Sequence, residues 1–151
     1  MSIELIFGLI GAIAGTAGII FSYISYAHSK IETVNAFYLN DRDPNFIEAR
    51  RIVHTLPEGY DPIKVREEHG KILTILILSY DQAGILVKKR KLPFWIFSEG
   101  GCGVAVVNFY EKLTPYIAEK RKENRLYATN FEYLKNKISE EVPQKNFAKT
   151  K

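Results

Sequence analysis

Cysteine occurs once in the 151 residues, at Cys102, so no disulfide can close within the chain, which suits a reducing compartment. With no Cys-x-x-Cys pair and only three histidines, His28, His54 and His69, a structural zinc centre is not expected. Glu67-Glu68-His69 lacks the His-Glu-x-x-His spacing, and adjacent helical residues point to different sides. The glycines around Cys102 are not followed by Lys and Ser or Thr, and Gly-x-Gly-x-x-Gly is absent, so no phosphate loop is present. No histidine is spaced to serve Cys102 as a base, so it reads as a small buried residue rather than a nucleophile. No catalytic residue, cofactor or metal is therefore expected.

Lysine and arginine are missing from residues 1–27, where Glu4 is the only charge. All 21 bases and the other acids follow, leaving a formal +5 over 28–151. Ile3 to Ala27 would reach about 37 Å as a helix, against about 30 Å of bilayer hydrocarbon. A soluble helix of that length without a polar face is not expected. The rival is a cleavable signal peptide, for which Ser25-Tyr26-Ala27 offers a small-x-small site. Against it stand a base-free start and an apolar run beyond the usual ~7–15 residues. The span is followed by His28, Lys30, Arg42, Arg50 and Arg51, and the positive-inside rule then puts the C-terminal part in the cytoplasm and the N-terminus outside. Tyr23 and Tyr26 fall where an interfacial aromatic belt would lie.

Within this span Gly8, Gly11, Gly15 and Gly18 are spaced 3, 4 and 3, and the rhythm continues to Ser22 and Ser25. Backwards it meets Glu4, which near the end can reach water or cap the first turn. Small residues in heptad register form a seam where two spans approach closely, and strict 3.5 spacing favours a left-handed crossing. Leu5, Ile6, Leu9, Ile13, Ile20 and Ile24 face the other way. The competing explanation is that glycine is simply common in spans.

Helix signals divide the remainder. Asp43-Pro44 and Asp61-Pro62 both read as an N-cap followed by proline at the first helical position. The first of these helices ends near Leu56-Pro57-Glu58-Gly59; the second runs to about Ala83, with Gly84 as its C-terminal stop. The run Ile72–Leu78 is continuous and partly β-branched, but its length and caps favour a buried central helix over a strand. After the basic stretch Lys88-Lys89-Arg90-Lys91, Pro93 opens another helix that the glycines of Gly100–Gly103 interrupt. Tyr127, Phe131, Leu134 and Ile138 recur at helical spacing. The expected organisation is a transmembrane helix over 1–27, a juxtamembrane linker over 28–43 into which helix could continue, a helical cytoplasmic domain over 44–140, and a disordered Lys-rich tail over 141–151.

The stretches Phe109–Arg121 (FYEKLTPYIAEKR) and Leu126–Leu134 (LYATNFEYL) resemble a family of small, mostly bacterial proteins known as domain of unknown function 4760. Ile75–Leu92 resembles its central helix-turn-helix and Glu48–Val53 its first cytoplasmic helix, so the likeness covers about residues 45–138. It implies an all-α fold and a membrane anchor, and supplies no reaction. The sequence departs from the family pattern at Gly100–Gly103, where a continuous helix is put in doubt.

Arg50, Arg51, Arg121 and Glu132 are charges embedded in patterned stretches and are expected to form partly buried structural ion pairs. Lys88, Lys89, Arg90 and Lys91 could contact an anionic leaflet, or form a solvated turn. No aromatics interleave that run, so nucleic acid is not an expected partner. The expectation is an all-α chain with one N-terminal transmembrane helix and a cytoplasmic bundle of about four to five helices, anchored in the inner membrane. Its partners would be the lipid bilayer, anionic lipid, and copies of itself or a second membrane protein. It would serve as a non-enzymatic assembly module. The alternatives are a membrane-perturbing effector, such as a small toxin or defence protein that oligomerises in the bilayer, and an enzyme with an unrecognised site.

Overall fold

The computed structural model describes residues 3–99 and 102–141, with the backbone alone over 3–10 and at 12 and 13. Among the described residues there are six helices and no strand. They are α1 (Ile3–Asn40), α2 (Pro44–Thr55), α3 (Pro62–Lys88), α4 (Trp95–Ser98), α5 (Gly103–Arg121) and α6 (Thr129–Glu141).

Two starts follow from the same local chemistry. Asp43 and Asp61 sit in extended conformation and accept from the N–H groups of Asn45 and Ile63, at 2.7 and 2.9 Å. Proline occupies the first helical position, where no N–H partner is needed. α3 is the central element and packs on α2, α5 and α6. Leu73, Leu76 and Ile77 of α3 are fully buried, as are Leu113 of α5 and Phe131, Leu134 and Ile138 of α6. Aromatic rings fill the middle: Tyr80 stacks on Phe131 at 5.1 Å, and Tyr110 meets Phe131 edge-on at 5.1 Å.

Among the described residues one helix, α3, is long and apolar enough to cross a membrane on length and composition. Its apolar face is the centre of the bundle core, and its first half carries Lys64, Arg66, Glu67, Glu68, His69 and Lys71. Such a helix is a core element by packing, whatever its hydropathy.

Several expectations are corrected. Gly84 does not stop α3, which runs one turn further. A Cβ at Gly84 would lie 2.1 Å from the carbonyl oxygen of Asn130, so the glycine is there for the close approach of α6. The true stop is a Schellman turn: Lys91 N–H bonds Leu86 O at 2.8 Å and Arg90 N–H bonds Val87 O at 3.0 Å. Arg90, with φ 56°, occupies the left-handed position that glycine usually takes. The helix after Pro93 is a single turn, α4. The stretch 28–40, into which helix could continue, is indeed helix and continuous with α1. Pro115 lies inside α5, at an exposed position where the carbonyl left unpaired one turn back can meet water. Gly103 likewise serves packing, since a Cβ there would lie 2.3 Å from Phe97 O. Gly100, Gly101 and the tail over 142–151 lie outside the described residues.

Candidate functional site

α1 has two regimes. Towards its C-terminal end, Val34 and Phe37 pack against the core, and Phe37 meets Phe97 edge-on at 5.4 Å. Before that, large apolar side chains stand open: Ile19 is 71%, Ile20 58% and Phe21 70% exposed, and Tyr23, Ile24 and Tyr26 are exposed too. Cβ atoms built on Gly11, Gly15 and Gly18 would meet nothing within 4 Å, and Ser22 and Ser25 are exposed. The seam is thus uncovered over its described part. The side chains of Glu4, Leu5, Ile6, Leu9 and Ile13, and the surroundings of Gly8, lie outside the description.

Lys88, Lys89, Arg90 and Lys91 are all exposed at the end of α3. They do not act alike. Lys88 donates to Asn130 Oδ1 at 2.9 Å and lies 4.5 Å from the centre of the Tyr133 ring. Lys88 and Arg90 line a groove of ≈ 460 Å³ together with Phe94, Tyr133, Lys137 and, from α1, Lys30. Lys137 sits 4.7 Å from the Phe94 ring and pairs with Glu141. Nothing in the sequence brings Lys30 and Lys137 to this loop, because the convergence needs the tertiary fold.

The patterned charges form three separate pairs. Arg50 meets Asp41 at 3.2 Å, joining α2 to the turn after α1. Arg51 makes a two-pronged contact with Glu48, 2.6 and 2.8 Å, exposed and within one helix. Arg121 meets Glu132 at 2.7 Å. Its Nε also donates to Tyr127 O at 2.9 Å and a terminal nitrogen donates to Ala128 O at 3.4 Å. Arg121 therefore ties down the turn between α5 and α6, where Ala128 has φ 58°.

Sequence reasoning missed Asp81. Its carboxylate accepts from the N–H groups of Asn130 and Phe131, at 2.8 and 3.0 Å, and from Asn130 Nδ2 at 3.1 Å. A residue of α3 thus caps the first turn of α6, half-buried, where a negative charge suits the helix end. The only signal was an acid inside a long apolar helix.

Cys102 precedes α5, half-buried, and its thiol donates to Ile96 O at 3.2 Å. Burial, aided by the charge of Asp41, pushes the thiol up to about 11, so at neutral pH it is protonated and a poor nucleophile. Among the described residues no three His, Cys, Asp or Glu side chains are grouped to hold a metal ion. No family model, curated protein or solved structure matches the chain.

Proposed function

We propose that the chain is a single-pass membrane protein, with α1 crossing the bilayer over about residues 3–27, the N-terminus outside and the bundle α2–α6 in the cytoplasm at the inner membrane. It acts as a non-enzymatic assembly module, associating through the seam of Gly8, Gly11, Gly15, Gly18, Ser22 and Ser25, and it is a relative of domain of unknown function 4760. The observation that carries the reading is the row of open apolar side chains on α1, from Ile19 to Tyr26, which no part of the bundle covers. Exposed apolar surface on that scale calls for lipid or another helix. The absence of Lys and Arg before it and their abundance after it support this orientation.

Alkaline extraction should leave the full chain in the membrane pellet, and protease added outside intact cells should spare the bundle. Release by alkali, or digestion of the bundle from outside, would overturn the reading. Gly11→Ile with Gly15→Ile should weaken association in a membrane reporter assay; an unchanged signal would remove the seam. That seam, with Glu4 in its register, also favours a second reading as a membrane-perturbing effector. Growth arrest with loss of membrane potential on overexpression would select the second reading.

A further inference from the structure

We infer that the groove between Lys30, Lys88, Arg90 and Lys137 seats the phosphate of an anionic phospholipid headgroup. The inference rests on the membrane reading above and deepens it from a charged face to a built pocket.

Four cations from three parts of the chain converge on one opening of ≈ 460 Å³. Glu141 pairs with Lys137 and the Glu140 carboxylate also acts on it, but neither lines the opening, and four cations against two acids leave the site net positive. Three of the cations are held in place beforehand, Lys30 among them by lying 4.8 Å from the centre of the Tyr26 ring. Lys88 is fixed by Asn130 and the Tyr133 ring, and Lys137 lies over the Phe94 ring. Fixed ammonium groups lose less freedom on meeting an anion than free ones.

Arg90 points the same way. It stands in the left-handed backbone position at the end of α3, where glycine would sit without cost. A guanidinium at that position puts a planar two-pronged donor beside the lysines, and this fork matches the oxygens of a phosphate. The rings of Phe94 and Tyr133 add apolar walls beside the charge, as a lipid with a polar head and a hydrocarbon body requires. Depth also agrees. Lys30 lies three residues past Ala27, about 4.5 Å along the helix, which is the headgroup layer if the span ends there.

The test uses the full chain in a neutral detergent, with native mass spectrometry counting retained phosphatidylglycerol against phosphatidylcholine. Retention of phosphatidylglycerol should exceed that of phosphatidylcholine and survive an excess of inorganic phosphate. Lys30→Gln with Arg90→Gln should reduce it about tenfold, while Lys89→Gln with Lys91→Gln, equal in charge but outside the groove, should leave it within about twofold. Arg90→Gly removes the guanidinium and relieves the backbone, so it should lose lipid without a lower melting temperature. Equal losses in the two double variants would overturn the pocket in favour of diffuse charge. Equal retention of the two lipids would overturn its preference for anions. Displacement by inorganic phosphate would make it a free-anion site. Alkaline extraction of the same variants reports the span separately, because adduct formation in detergent does not depend on membrane integration.

Discussion

Asp81 shows how one side chain can start a helix to which it does not belong. Its carboxylate satisfies two N–H groups of α6 that would otherwise point into a half-buried contact without partners. Asp81→Ala should therefore cost about 1–3 kcal/mol, seen as a lower melting temperature in the fluorescence of Trp95, the sole tryptophan. Asp81→Asn, which keeps one acceptor oxygen, should fall in between. Cys102 gives a chemical readout at the same scale. With its thiol raised to about 11, alkylation at pH 8 should be about a hundredfold slower in the folded chain than in urea, measured by mass shift. The sign follows from burial, which disfavours the thiolate, so the rate should climb as the pH rises towards 11. A fast reaction at pH 8 in the folded state would contradict the buried environment.

At the scale of elements, two glycines of α3 make opposite demands. Gly84 touches the backbone of α6, and Gly84→Ala should force the helices apart at a cost of about 1–3 kcal/mol. Gly70 has no atom nearer than 3.5 Å to a built Cβ, so Gly70→Ala should stabilise by about 0.5–1 kcal/mol through helix propensity alone. Urea titrations of the two variants against the parent decide this. The turn from α5 to α6 offers a second contrast. Arg121→Ala loses two carbonyl contacts as well as Glu132, so it should lower the melting temperature more than Glu132→Ala, whose loss is a part-exposed pair and an interaction with the Tyr110 hydroxyl. The same elements explain what could be read from the residues and what could not. Asp43-Pro44 and Asp61-Pro62 were legible because capping is local chemistry. Gly84 was misread because a glycine after a periodic run looks like a stop, and the reason for it lies 46 residues away in Asn130. Arg51 and Glu48 are three apart and could be paired from the sequence, whereas the Arg50 partner Asp41 and the cap role of Asp81 depend on how helices turn back on each other.

At the scale of the whole molecule, the core is built from residues 46–138, and among the described side chains of α1 the hydrophobic ones packed against it are Val34 and Phe37. A chain starting at residue 28 should therefore fold on its own, elute as a compact species, and melt cooperatively by circular dichroism. Aggregation of that truncation would mean that the bundle depends on residues 1–27. The two halves are nonetheless joined by one unbroken helix of 38 residues, Ile3–Asn40, about 57 Å long. A shaft without a hinge transmits angle as well as position. Turning its N-terminal half about the axis turns the bundle by the same amount, and one added residue before Ser29 would advance the bundle's heading by about 100° while lifting it only about 1.5 Å. If two shafts lock along their small-residue faces, the azimuth of each bundle is fixed with them, so the register of those glycines and serines decides which sides of two neighbouring bundles look at one another.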